Sequence, residues 1–465
     1  MRINIITLGC SKNTVDSENL AGHLAAAGHT VYFDRERNDC DAVIINTCGF
    51  IGDAKEQSIE TILQQIGVKT RGRKARRLIV CGCLVERYRD ELRTEMPEVD
   101  EWYGVHEWME IAAKLKGVKG SEKGVKGSEG TIVPASRHLS SHSLSLPFTP
   151  SLSSSILASR RQLSTPRHYA YLKVAEGCNR SCSYCAIPLI RGAHHSRPID
   201  ELVEEGKRLV ESGVKELLVI SQDTTYYGLD IYRQRRLGEL LGRLATETGA
   251  PWIRLHYTYP TSFPEDAIEA IARHANICNY IDIPLQHINS HILNSMQRGI
   301  DREGTLRLIE RFRQLIPDVA IRTTLIVGYP GEGEAEFGEL MDFVREARFD
   351  RMGCFAYSPE EGTAAYRLGD PVAEEVKEAR VGELMALQEG ISLEVNRSRI
   401  GRKLRCIVDR HEGDYLVCRT EYDSPEVDDE VLVRLPKGRM PKAGTFVDVN
   451  ITDALENDLT GTLAI

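Results

Sequence analysis

The stretch Tyr171-Leu-Lys-Val-Ala-Glu-Gly-Cys178-Asn-Arg-Ser-Cys182-Ser-Tyr-Cys185 decides how the chain is read. Tyr171–Ala175 is a β-type run, and it opens into a loop with three cysteines inside eight residues. Thiolates spaced this closely can wrap one metal centre from a single loop. A structural zinc site needs a fourth ligand nearby, and the next cysteine downstream is Cys278. A 4Fe-4S cluster held by three cysteines instead leaves one iron open to an outside ligand. The Cys-x3-Cys-x2-Cys spacing also differs from the ferredoxin run, which favours chemistry over electron storage.

Working outward, five more apolar runs alternate with helix-length segments. They are Glu216–Ser221, Trp252–Tyr257, Tyr280–Ile283, Ala320–Val327 and Met352–Tyr357. Ile199–Ser212 and Arg302–Leu315 are two of the intervening helical patterns. Six strand–helix units over residues 163–394 predict a partial (β/α) barrel.

Residues 1–115 read as a separate parallel α/β domain with strands at Ile3–Leu8, Ala42–Ile45 and Leu78–Val80. Asp16–Ala27, capped by Asp16 or Ser17, and Ala54–Ile66 are its amphipathic helices. A second, dispersed cysteine triple follows the three strands: Cys10, Cys48 and Cys83. Open α/β sheets place ligands at the carboxyl ends of their strands, so the three are expected to converge. Cys81 competes for the third place, but it has the pattern of a buried strand residue. Cys40, Cys278, Cys354, Cys406 and Cys418 lie singly in or beside apolar runs and read as core.

Between these domains Lys116-Gly-Val-Lys-Gly-Ser-Glu122 is repeated directly as residues 123–129, followed by a Ser-, Leu- and Pro-rich stretch. Residues 116–162 therefore read as a flexible linker or insertion. Residues 395–465 carry short β-type runs at Leu404–Val408, Tyr415–Cys418, Val431–Val433 and Thr445–Ile451. They predict a small all-β barrel.

With 465 residues, 59 basic and 68 acidic, the chain has a net charge of −9. That argues against binding nucleic acid through bulk positive charge, and no DNA partner is expected. No apolar run approaches the ~18 residues of a membrane span. Met1–Cys10 lacks the basic and small-residue marks of a signal peptide, so a cytoplasmic address is expected. Reduced thiols there are read first as metal or catalytic groups.

The loop triple resembles that of the radical S-adenosylmethionine (SAM) enzymes. Both triples together resemble the methylthiotransferases, and more narrowly those that modify small-subunit ribosomal protein S-twelve. The resemblance is carried by Leu8-Gly-Cys-Ser-Lys-Asn-Thr-Val-Asp-Ser-Glu18, Asn46-Thr-Cys-Gly-Phe-Ile51 and Cys81-Gly-Cys-Leu-Val-Glu-Arg-Tyr88. It continues in Ser221-Gln-Asp-Thr-Thr225, Asp282-Ile-Pro-Leu-Gln-His287 and Arg322-Thr-Thr-Leu-Ile-Val-Gly-Tyr-Pro-Gly-Glu332. Asp423-Ser-Pro-Glu-Val-Asp428 lies in the terminal module, which resembles a TRAM domain.

The resemblance implies two 4Fe-4S clusters, one on Cys178, Cys182 and Cys185 and an auxiliary one on Cys10, Cys48 and Cys83. It implies that SAM yields a 5′-deoxyadenosyl radical, which abstracts hydrogen from the β-carbon of an aspartate. Sulfur would then be delivered at the auxiliary cluster, and a second SAM would methylate it. Tyr184 is the aromatic expected near the adenine, and Lys12, Asn13 and Asp16 are expected beside the first auxiliary ligand or facing substrate. Gln222, Asp223, Arg322 and Thr324 are expected SAM contacts at barrel strand ends. Gly328 begins a turn that would let the adenine approach the backbone, and His287 is a candidate cavity residue. The implied partners are S-twelve and a flavodoxin- or ferredoxin-type electron donor.

The sequence departs from the family pattern at His194 and His195, at Gly333 in place of threonine, and at the insertion from 116. The alternative substrate is a tRNA adenosine. Residues 395–465 hold 11 basic against 13 acidic residues, and an acidic stretch such as Glu421–Glu430 suits a basic ribosomal protein better than RNA. A non-catalytic assembly factor is disfavoured by two triples that each lack a fourth cysteine.

Overall fold

The computed structural model describes residues 1–36, 39–71, 76–116, 161–435 and 440–464; the duplicated heptad and the expected insertion lie outside them, apart from their flanking residues. The first domain is a parallel sheet of β1 (Arg2–Thr7), β2 (Thr30–Phe33), β3 (Ala42–Thr47), β4 (Arg77–Gly82) and β5 (Glu101–Tyr103), in the order β2-β1-β3-β4-β5. Val43, Ile44 and Ile45 on the middle strand are fully buried because helices cover both faces. Leu20 and Leu24 of α1 (Ser11–Ala26) and Ile111 of α4 (Trp108–Lys116) pack on one face. Ile62 of α2 (Gly52–Arg71) and Leu84 of α3 (Cys83–Glu95) pack on the other. The edge strands β2 and β5 escape the sequence reading because Thr30–Phe33 and Glu101–Tyr103, each partly exposed, lack the aliphatic run of a strand buried on both faces.

Helix α1 begins at Ser11 with Cys10 as its N-cap, not at Asp16 or Ser17. Asp16 is instead buried inside the helix, where it takes charged partners from the next domain.

The central domain has the six expected strands: β6 (Tyr169–Lys173), β9 (Glu216–Ile220), β10 (Trp252–Leu255), β11 (Tyr280–Asp282), β12 (Ala320–Val327) and β13 (Arg351–Ala356). They form two parallel sheets, β10-β9-β6 and β11-β12-β13, so the barrel is partial. A two-residue hairpin, β7 (Ala175–Glu176) with β8 (His195–Ser196), brackets the cysteine loop.

The last domain is a closed barrel of β14 (Lys403–Glu412), β15 (Tyr415–Thr420), β16 (Glu430–Arg434), β17 (Phe446–Ala454) and β18 (Asp458–Leu463). It begins at Lys403, not near Val395, because the helix Glu374–Arg397 runs on until Asn396 donates to Asp429 and to the Leu455 carbonyl. The fifth strand, β18, is masked in the sequence by Gly461, whose missing side chain makes room for Val449.

This barrel docks on the N-terminal ends of the central strands. Glu216, which opens β9, is fully buried and binds Arg254 of β10 at 2.7 Å and Arg419 of β15 at 2.8 Å. Arg351, which opens β13, pairs with Asp423, and Tyr280, which opens β11, donates to Asp428. Ser424 bonds His256, and Tyr169 donates to Glu426. The acidic stretch is therefore largely spent inside the molecule, and it does not offer a free docking face for a basic protein. That part of the charge argument fails, because paired carboxylates present little field to solvent.

Replacing Glu216 by alanine leaves two buried guanidinium groups without their shared carboxylate. The expected loss is about 3–5 kcal/mol. Glu430→Ala, which removes the exposed Arg410 pair, should cost under about 1 kcal/mol. Thermal unfolding of the two variants checks the contrast.

Candidate active site

Cys10, Cys48 and Cys83 follow β1, β3 and β4, which are neighbours in the sheet. Their loops touch because two glycines leave space. A Cβ on Gly9, whose φ is +90°, would stand 2.7 Å from Cys48 Cβ, and one on Gly49 would stand 2.8 Å from the Cys83 carbonyl carbon. Cys10 is exposed, whereas Cys48 and Cys83 are buried. Burial pushes the Cys83 thiol up to about 12, against the pull of the Arg191 guanidinium. Cys81 lies within β4, packed in the sheet core.

The loop triple sits after β6. The Cys178 amide donates to the Gly192 carbonyl at 3.1 Å, and the Cys185 amide donates to Cys182. Arg298 donates to Cys182 Sγ at 3.4 Å and to Tyr184 Oη at 3.2 Å. Burial pushes Cys178 up to about 11 and Cys185 up to about 12. Among the described residues no three Cys, His, Asp or Glu groups are gathered closely enough to hold a single metal ion. The donor sets fit 4Fe-4S clusters instead, since a cubane takes each thiolate on a different iron. Each triple is soft and three-fold, with an arginine against one of its sulfurs.

The two triples are joined by Arg191, at the end of the helix Ile187–Arg191 that leaves the cysteine loop. This side chain is 3% exposed. It donates to Asp16 Oδ2 at 2.7 Å, to Glu176 Oε2 at 3.2 Å, to Asn13, and to Cys83 Sγ at 3.4 Å. Lys173 pairs with the same two carboxylates, and Gln222 donates to Glu176 at 2.6 Å. Ala186, next to Cys185, packs against Cys83. Lys173 and Arg191 hold the Glu176 carboxyl well below the usual range despite its burial. Lys12 lies over the Tyr257 ring, 2.7 Å from its centroid, and burial brings its ammonium down to about 8.

A cavity of about 540 Å³ opens between the cysteine loop, the barrel strands and the Phe50–Asp53 loop of the first domain. Tyr184 and Thr324 line it, together with Gln286, Ile326 and Tyr357. Glu360 on its wall is held by Lys55 and Arg87 from the first domain.

The other expected SAM contacts have different partners. Asp223 accepts from Arg180 at 2.6 Å and from the Thr225 amide, and Gln222 is turned to Glu176. Arg322 is not at a carboxyl strand end: it sits in the first half of β12 and binds Asp282 and Asp428. Gly328 packs on Lys377, where a Cβ would stand 2.4 Å from Cγ. His287, a candidate cavity residue, is fully buried, accepts from the Asn289 amide and lies 3.3 Å from Glu332, and it is not among the residues that line the cavity. His194 bonds Ser196 and packs against Tyr226 with the two rings tilted by 56°. Gly333 caps the helix Glu334–Ala347 only by donating to Glu336, the half of the box that needs no hydroxyl. Arg191, Lys173, Arg298 and Tyr257 are site residues that the sequence reading missed, since nothing local marks a charge whose partners are far along the chain.

Three family models match: Uncharacterized protein family UPF0004 over residues 2–104, the Radical SAM superfamily over 172–344 and the TRAM domain over 400–464. A ribosomal protein uS12 methylthiotransferase RimO of Flavobacterium psychrophilum is 49% identical over 460 residues, covering 99% of this chain and 97% of the relative. The chain belongs to the RimO family of methylthiotransferases. A relative of the same name from Phocaeicola vulgatus is 47% identical, with 98% of each chain covered. Among solved structures, the radical SAM methyltransferase TsrM of Kitasatospora setae, with cobalamin and a [4Fe-4S] cluster bound, superposes with a TM-score of 0.55. At 15% identity over 90% of this chain and 77% of that one, it speaks for the fold alone.

Because the folded-state pKa of Glu176 is depressed, its contribution to stability is fully present above the ordinary carboxylate value of about 4.3 and is lost progressively as pH falls from there through its depressed folded value. Arg191→Met should shrink that acid-dependent contribution, leaving the part that Lys173 supplies, and destabilise the protein by about 3–5 kcal/mol at neutral pH. Thermal melts of wild type and variant from about pH 7 down to about pH 2 test both statements.

Proposed function

We infer that this chain is a radical SAM transferase that adds a methylthio group to the β-carbon of an aspartate in ribosomal protein uS12. Full-length likeness to relatives bearing that name carries the reading. Two separate cysteine triples joined through one arginine support it. The relatives are named for uS12, not for tRNA, and the substrate follows them.

In this reading Cys178, Cys182 and Cys185 hold one 4Fe-4S cluster, and Cys10, Cys48 and Cys83 hold the other. When bound, the clusters and SAM supply the radical, sulfur and methyl chemistry that no side chain here can perform. The side chains supply charge compensation, shape and shelter from water. Arg298 against Cys182 and Arg191 against Cys83 offset the negative charge of cluster-bound thiolates. The 540 Å³ cavity has the size of a small-molecule site, and Tyr184 and Thr324 form the wall assigned to SAM. Asp223 holds Arg180 of the cysteine loop, and Gln222 holds Glu176 at its root, so both act by positioning. Residues 1–115 carry the auxiliary triple, 163–397 the loop triple, and the strands from Lys403 onward the terminal barrel.

No helix among the described residues is long and apolar enough to cross a membrane. The reading places the enzyme in the cytoplasm, where its ribosomal substrate is made, with a flavodoxin- or ferredoxin-type protein as electron donor.

The reduced, anaerobically reconstituted protein should cleave SAM to 5′-deoxyadenosine. Alanine at Cys178, Cys182 or Cys185 should bring this to background. Alanine at Cys10, Cys48 or Cys83 should abolish methylthiolated uS12 in mass spectra. Mass spectrometry of uS12 from cells lacking the gene should show an unmodified aspartate; a surviving methylthio group there would refute the substrate assignment.

A further inference from the structure

Lys12 is a buried cation that the cluster and SAM assignments leave without a task. It is 6% exposed and sits two residues after Cys10, at the first turn of α1. The other buried cations that join the first two domains each have a carboxylate. Arg191 and Lys173 have Asp16 and Glu176, Arg161 has Glu18, and Arg87 has Glu360. Lys12 has no ion pair among the described residues, and its ammonium rests on the π face of Tyr257.

Asp282, the carboxylate on the strand beside Tyr257, is already spent. It binds Arg322 at 3.1 Å, lies 3.4 Å from His256 and accepts from the Tyr257 amide at 2.9 Å. Tyr257 is itself fixed, with its hydroxyl 3.3 Å from Ser11 Oγ and its backbone at φ +57°. Lys12 is thus held in place, beside the auxiliary triple and over the carboxyl ends of β10 and β11; Cys10, Asp282 and Glu176 act on its charge from nearby, but none of them is in ion-pair contact with it. A buried cation is costly unless an anion joins it.

We propose that Lys12 is the counter-ion of the substrate aspartate's side-chain carboxylate, and so the residue that selects an aspartate over an uncharged amide or a nucleobase. This rests on the function proposed above. That carboxyl group is bonded to the very carbon that receives the sulfur, so anchoring it beside Cys10 fixes the β-carbon next to the auxiliary site. An asparagine or an adenine offers no charge to meet the ammonium and leaves it unpaired.

The test is equilibrium binding of the reconstituted holoenzyme to full-length uS12 and to uS12 carrying asparagine at the modified position. Wild type should prefer the aspartate form by about tenfold or more. Lys12→Met and Lys12→Gln should bind the two forms alike, and Lys12→Arg should keep most of the preference. Iron content and the EPR spectra of the reduced clusters should match wild type in all three variants. SAM affinity without uS12 is a further arm, because SAM also carries a carboxylate. A Lys12→Met protein that keeps the aspartate preference overturns the proposal, whether or not its SAM affinity falls. So does equal weakening of both uS12 forms with altered cluster spectra, which would assign Lys12 to the auxiliary cluster's charge. If wild type binds neither form, the function proposed above falls as well.

Discussion

One guanidinium holds the candidate active site together. Arg191 leaves the loop of the first cysteine triple, crosses the domain boundary and ends on Asn13, Asp16 and Cys83. It is buried, so its charge must be matched within the protein, and the carboxylates of Asp16 and Glu176 do this from opposite domains. Coulombic attraction there is weakly screened, and removing either side strands the other. The two cysteine triples are therefore set by a fixed ionic joint, to which α1, the cysteine loop and β7 all contribute. Lys173 and Gln222 extend the joint into the barrel.

The middle strands were legible because buried parallel strands read as plain apolar runs. β12 was placed at its true bounds, and the helix Arg302–Leu315 likewise. The edge strands β2 and β5 and the glycine-bearing β18 were not legible, since partial exposure and a missing side chain erase the apolar run. The loop triple is a local motif and needed only spacing. The meeting of Cys10, Cys48 and Cys83 was reachable because topology sends neighbouring strand ends to one place. The ionic joint was beyond reach: Arg191 and Asp16 are 175 positions apart, and an acidic residue on a predicted helix start reads most simply as a cap.

The terminal barrel shows how charge counting can point the right way for an incorrect reason. Its net charge is negative, and the substrate is a ribosomal protein in the favoured reading. Yet Asp423, Glu426 and Asp428 are bonded to Arg351, Tyr169, Tyr280 and Arg322 at the amino ends of the central strands. A formal charge enters a long-range field only when its partner is distant. The Asp423-Ser-Pro-Glu-Val-Asp428 run is better understood as the plug that seats one barrel on the other. Arg322, read from sequence as a cofactor contact, belongs to that seat.

The Glu216 clasp has a consequence for modularity. Three family models fall on three stretches of chain, which invites treatment of the domains as interchangeable parts. Glu216 belongs to the central domain, but one of the two arginines it neutralises belongs to the terminal barrel. A hybrid with a barrel from another relative inherits a carboxylate cut for this Arg419, and a truncation at residue 400 leaves Arg254 with the clasp to itself. The units of ancestry and the units of charge balance do not share borders here, so grafting succeeds only when the clasp travels whole.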